Sequence, residues 1–221
     1  MSRVAIVGAH GKVAQQLMRV LYDDGDDFVG LVRADEHADD VYRLGGEGIV
    51  LDIEQSDSDA IAQAIAGCDA VVFTAGAGPG SGVARKRTVD YAGSVKSAQA
   101  AARAGIRRFV QLSAWGVDSP VAADADPQWR AYVEAKRDAD SELRSSGLDW
   151  TILRPGRLTV DDGTGDVLLG ESVPLGEIAR EDVARLIAAC LADPATVGRT
   201  WEVVSGATPI EEAVRSLTQA S

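Results

Sequence analysis

Cysteine and histidine are scarce. The 221-residue chain has two of each, Cys68 and Cys190, His10 and His37. The cysteines lie far apart in apolar surroundings and form no C-x-x-C pair, which excludes a disulfide framework and a thiolate metal site and assigns both to the core. Neither histidine has an acidic or second histidine partner in reach, so no metal site is expected, and His37 reads as an exposed helix residue. Long apolar runs are missing too. The longest candidate, 186–192, falls far short of the roughly 20 residues of a membrane span. The start of the chain lacks the charged, apolar and cleavage regions of a signal peptide, so the expected location is cytoplasmic. Positive charge is outnumbered, with 22 Lys and Arg against 34 Asp and Glu and a net charge of −12. That balance repels nucleic acid and anionic lipid, and the Arg85-Lys86-Arg87 cluster is too short for a basic patch. The expected partner is a small molecule.

What is present is a repeating alternation of short apolar runs and helical periodicity. Strands are predicted at 4–7, 28–32, 48–51, 70–74, 108–112 and 150–153, and helices at 12–22, 35–44, 58–66, 86–104 and 128–146. Strands that are almost continuously Val, Ile, Leu and Ala are buried on both faces, which requires helices on both sides of a parallel sheet. The fold class is α/β, a doubly wound parallel sheet of Rossmann type. With 46% hydrophobic residues, the length suits one domain, 1–221, in which about 156–221 forms a small cap. That tail reads as a polar stretch, a helix at 180–192, a strand at 201–204 and a short last helix. The irregular stretch 117–127 is expected to be a mobile loop.

The first strand runs into Gly8-Ala9-His10-Gly11-Lys12-Val13-Ala14. Small residues three apart let the backbone turn sharply, approach a pyrophosphate and pack the following helix on the strand. Amides at the start of that helix then face phosphate oxygens, which makes Gly8, His10, Gly11, Lys12 and Val13 candidate cofactor contacts. The end of the second strand, where NAD-preferring sites carry an acid, holds Val32 and Arg33. A guanidinium there pairs with a 2′-phosphate unless Asp35 or Glu36 already occupies it, so NADP(H) is expected as cofactor, with NAD(H) as the alternative. Asp52 and Ile53 follow the third strand, placed either to recognise adenine or to form a helix-approach turn. Ala75, Gly76 and Ala77 follow the fourth strand and either let backbone lie against a ribose or form a flexible loop.

Together with Ser113, the Tyr132/Lys136 pair and Leu153-Arg154-Pro155-Gly156, these features resemble the atypical short-chain dehydrogenase/reductases over essentially the whole chain. Within them the chain is most similar to the small NAD(P)-binding, NmrA-like group that includes flavin and biliverdin reductase-like enzymes, a likeness strengthened by Ile178-Ala179-Arg180-Glu181-Asp182-Val183-Ala184. The resemblance implies Ser113, Tyr132 and Lys136 as the catalytic set and adds Pro155 and Gly156 to the cofactor contacts. Spacing agrees with it: Tyr132 and Lys136 lie four apart and so share a helix face, where the ammonium is expected to lower the phenol's pKa. Ser113 is expected to donate to the reacting oxygen. The sequence departs from the pattern at Asp90, where many relatives carry asparagine.

Three functions follow as expectations. The first is an NAD(P)H-dependent oxidoreductase acting on a small carbonyl, flavin or quinone-like substrate. The second is an NADP(H)-responsive regulatory protein without turnover, whose 77–86 and 117–127 loops would be reshaped for a partner. The third is a sugar-nucleotide epimerase or dehydratase, disfavoured by the short region after Pro155. Trp115 and Trp129 are candidates to line the substrate pocket.

Overall fold

The computed structural model describes residues 2–78 and 80–219. Six strands, β1 (Arg3–Val7), β2 (Asp27–Val32), β3 (Glu47–Val50), β4 (Ala70–Phe73), β5 (Arg108–Leu112) and β6 (Asp149–Pro155), are joined by crossover helices. These helices are α1 (Lys12–Asp23), α2 (Asp35–Arg43), α3 (Ser58–Ala64), α4 (Val83–Arg85), α5 (Ala92–Arg103) and α6 (Pro127–Arg144), with a π-helical segment, Lys86–Tyr91, between α4 and α5. The strands pair in the order β3-β2-β1-β4-β5-β6, all parallel. The order of winding therefore reverses between β1 and β4, and at that switch point the carboxyl ends of the strands open a crevice.

Alternation along each strand divides the core in two. Val4 and Ile6 of β1 join Val13, Leu17, Met18 and Leu21 of α1 in one cluster. Ala5 and Val7 join Ile61, Phe73, Ala101 and Phe109 in the other. Cys190 belongs to the first cluster and Cys68 to the second; both are free and buried, and burial pushes both thiols up, Cys190 to about 12.

The tail departs from the expected cap. β10 (Arg199–Ser205) joins β6 as a seventh parallel strand, β8 (Asp166–Gly170) runs antiparallel beside it, and β11 (Thr208–Pro209) pairs with β8. β7 (Arg157–Thr159) and β9 (Glu177–Ala179) form a separate parallel pair, so the polar stretch after Leu158 holds short strands. Its glycines and acids hid a pattern too short to declare itself. α7 (Arg180–Ala192) packs on α1, and α8 (Ile210–Gln219) packs on α7.

Two further expectations are corrected. The predicted helix 86–104 begins earlier and contains the π-helical segment. The 117–127 stretch is anchored: Arg137 donates to the carbonyls of Val117 and Ser119, Arg130 to those of Ala122 and Ala123, and Arg154 pairs with Asp118. Among the described residues no helix is long and apolar enough to cross a membrane.

Leu17 is fully buried where α1 meets the sheet. Leu17→Ala is expected to lower unfolding free energy by about 2–5 kcal/mol, seen as a lower urea midpoint with an unchanged slope.

Candidate active site

The turn after β1 is dictated by contact. Gly8 has φ +88°, and a Cβ on it would lie 2.6 Å from the Ala75 Cα, so β1 and the loop after β4 touch backbone to backbone. The Gly8 and Ala9 amides donate to Leu31 O, and Gly11 N donates to Gly8 O. α1 then starts at Lys12 with no side-chain cap and no acid in its first turn. The amides of Lys12, Val13 and Ala14 have no acceptor among the described residues. Three bare N–H groups at the positive end of a 12-residue helix form an anion receptor.

With Ala14 fully buried behind them, Lys12 and Val13 open onto a cavity of about 890 Å³, within the roughly 300–1,000 Å³ of small-molecule sites. Gly8, His10, Gly11, Lys12, Val13, Arg33, Asp52, Ile53, Ala75 and Gly76 line it, as do Ser113, Tyr132 and Lys136. Arg33 is exposed and forms no ion pair with Asp35 or Glu36. Asp52 spends one carboxylate oxygen on the Glu54 amide, at 2.9 Å, so the turn role weighed for it is realised, and its other oxygen accepts no hydrogen bond from the described residues.

Three expected cofactor contacts stand elsewhere. Ala77 is absent from the cavity wall, because its amide is turned back to Asp90 Oδ2 at 3.1 Å. Pro155 and Gly156 also lie away from it: Pro155 pairs in register with Val203, and a Cβ on Gly156 would lie 2.3 Å from Gly176 O. That glycine serves the junction of β6 with β7. The histidines are corrected as well. His10 stacks on His37 with centroids 3.5 Å apart and lies 3.7 Å from Asp40, and both rings line the cavity. Among the described residues no group of three or more His, Cys, Asp or Glu is placed to hold a metal.

α6 is started by Asp126, whose carboxylate accepts from the Gln128 and Trp129 amides, with Pro127 in the first turn. Its inner stripe then presents Tyr132, Lys136 and Asp140 at four-residue spacing. Lys136 is buried, donates to Leu112 O at 2.9 Å and lies 3.8 Å from Asp90 Oδ1. Burial pulls its pKa down, against the opposing pull of Asp90 and Asp140. The expected effect on Tyr132 is reversed: burial, and then the Asp90 and Asp140 carboxylates, hold the phenol above its ordinary value. Its hydroxyl makes no hydrogen bond to a described residue.

Ser113 is likewise committed differently from expectation. Its Oγ donates to Asp140 Oδ2 at 2.9 Å, which leaves its lone pairs, not its proton, for the cavity. Asp140 is fully buried and also accepts from Gln111 Nε2 at 2.7 Å and Arg154 Nε at 2.9 Å. Arg154 in turn holds Asp118, whose carboxyl that hydrogen bond keeps below the usual range. Sequence reasoning missed Asp140, Gln111 and Asp118. The available signal was helical spacing, since Asp140 continues the Tyr132–Lys136 stripe by one more turn.

A family model described as NAD(P)H-binding matches residues 8–194. The chain belongs to this family. Over 97% of its length it is 36% identical to a Bacillus subtilis (strain 168) protein called uncharacterized sugar epimerase YhfK, matching 100% of that protein. It is 39% identical to YMR090W of Saccharomyces cerevisiae, over 97% of this chain and 98% of that one. A Bacillus halodurans structure, to which the name NAD-dependent epimerase/dehydratase is provisionally given, superposes with a TM-score of 0.90 at 37% identity, covering 98% of this chain and 100% of that one. The NAD(P)-binding Rossmann fold of atypical short-chain dehydrogenase/reductase type is thereby shown.

With its phenol held above the ordinary value, Tyr132 stays protonated through neutral pH. A near-ultraviolet titration of the nucleotide-free protein minus that of Tyr132→Phe is expected to show no tyrosinate below about pH 10. Ionisation of Tyr132 near neutrality would contradict the burial and carboxylate environment described.

Proposed function

We propose that the chain is an NADP(H)-dependent reductase of small carbonyl, flavin or quinone-like substrates. The observation that carries this reading is the set of bare amides at the start of α1, of whose residues Lys12 and Val13 line the same cavity as Tyr132 and Lys136. Those amides fit a pyrophosphate, and the unpaired Arg33 fits a 2′-phosphate. When bound, the nicotinamide supplies the hydride. Tyr132 gives its proton to the oxygen of the substrate as that oxygen gains charge, and a phenol that stays protonated suits the reducing direction. Lys136, fixed by Leu112 O and Asp90, presents positive charge beside the reacting centre. Asp140 holds Ser113 and Arg154 in place.

The names of YhfK and of the Bacillus halodurans protein favour a second reading, sugar epimerisation, which would use the same tyrosine and lysine. Against it, only Leu158 and Arg180 among the described residues beyond Pro155 line the cavity. The rest of the tail is spent on extending the sheet and covering α1. Little wall is left for a second nucleotide.

Two variants test the reading. Arg33→Asp is expected to weaken NADPH binding about tenfold or more while changing NADH binding little, measured by quenching of nucleotide fluorescence. Tyr132→Phe is expected to bind NADPH normally and to lose turnover across a panel of aldehydes, quinones and flavins. Equal loss of both nucleotides in the first variant, or retained turnover in the second, would overturn it.

A further inference from the structure

The cavity wall carries more positive charge than its own carboxylates neutralise. Its acids each accept from the protein itself, Asp52 with one oxygen only: Asp52 from the Glu54 amide, Glu54 from Arg85 and Thr88, Asp126 from the first turn of α6, and Asp90 from the Ala77 amide with Lys136 nearby. Lys12 and Arg33 lie beside the dinucleotide end. What remains is Lys86 and Arg180. Lys86 is only 7% exposed, and among the described residues its ammonium has a single acceptor, Gly78 O at 2.8 Å, and no carboxylate within ion-pair distance. It lies 5.3 Å from the centre of the Tyr132 ring, and its charge is felt at Lys136. Arg180 gives one nitrogen to Thr159 O and has no carboxylate partner among the described residues. A buried ammonium with two of its three donors unspent is costly without a counter-charge. The π-helical segment, a feature frequent at functional sites, puts both Lys86 and Asp90 on the cavity side.

We propose that the substrate carries an oxyanion, a carboxylate or a phosphate, that Lys86 receives beside Tyr132, with Arg180 adding long-range attraction and Trp129 and Leu158 supplying apolar wall. This rests on the reading of the cavity as a reductase site and names the class of molecule it takes. Lys86 is then the specificity-determining residue: in an acidic protein it selects anionic over neutral substrates of the same shape.

The test compares three probes of one ring system, 2-naphthoate, 2-naphthyl phosphate and 2-naphthylmethanol. Each is titrated by calorimetry into the nucleotide-free and the NADP+-loaded protein. At least one anion is expected to bind about tenfold or more tightly than the alcohol. Lys86→Met and Lys86→Gln should both erase that advantage, and Lys86→Arg should keep it. Which anion wins distinguishes carboxylate from phosphate. Thermal melts check that the variants fold, and NADPH affinity, read separately, should be unchanged. The proposal is overturned if the three probes behave alike, whether or not they bind. It is also overturned if the anion advantage survives both neutral variants, or if these variants weaken NADPH instead, which would assign Lys86 to the nucleotide. Failure of NADPH to bind the wild-type chain would remove the reductase reading by a different readout.

Discussion

The structure depends on the backbone contact between Gly8 and Ala75. Only a residue without a side chain lets the end of β1 press against the loop after β4, and that closeness carries the chain over the sheet edge so that α1 begins with nothing in front of it. The Lys12, Val13 and Ala14 amides are left bare as a consequence. Two helices are capped by carboxylates, α3 by Asp57 and α6 by Asp126, and the uncapped α2 and α7 carry acids in their first turns, which α1 does not. At α1 the cap is Gly11, which has no side chain to offer. An exposed positive helix end, held open by the turn that precedes it, is what turns a covered parallel sheet into a receptor for a phosphorylated ligand.

Electrostatics divide the rest of the cavity into two ends. Toward β2, Arg33 stands unpaired; toward α6, buried charges are locked into a network centred on Asp140 and Asp90. A fully buried aspartate that accepts from Gln111, Ser113 and Arg154 is stable only because its lone pairs are filled. The network reaches the surface through Arg154 and Asp118, and so ties the 117–127 loop to the floor of the site. A site built this way is rigid where proton transfer would occur.

Much of this was legible in the sequence, for definite reasons. β1, β2, β4, β5 and β6 announce themselves because strands buried on both faces need unbroken apolar runs, and Gly8-x-x-Gly11 stands out because few backbones tolerate that turn. The Tyr132–Lys136 pair comes from the family resemblance, and helical spacing agrees with it. What stayed hidden was whatever depends on tertiary partners. Asp140 looks like any helix acid until β5 and β6 bring Gln111 and Arg154 to it. Pro155 pairs with β10, an expected strand whose partner no local pattern names, and Gly156 meets Gly176 beside β9, which the glycine-containing stretch after Leu158 conceals. The π-helical segment has no sequence signature, and without it Lys86 reads as part of a solvated basic triplet. The sign of the shift at Tyr132 depends on two carboxylates from other turns, which no local pattern reveals.

The central claim is that the bare amides at the start of α1 receive the pyrophosphate of a nicotinamide dinucleotide. Amide-resolved nuclear magnetic resonance with added NADPH measures this directly. The account predicts that the Lys12, Val13 and Ala14 amide signals shift most and become protected from exchange with solvent, in step with saturation. Tight NADPH binding with those three signals unmoved, or saturating NADPH with no change anywhere along Gly8 to Ala14, would contradict it.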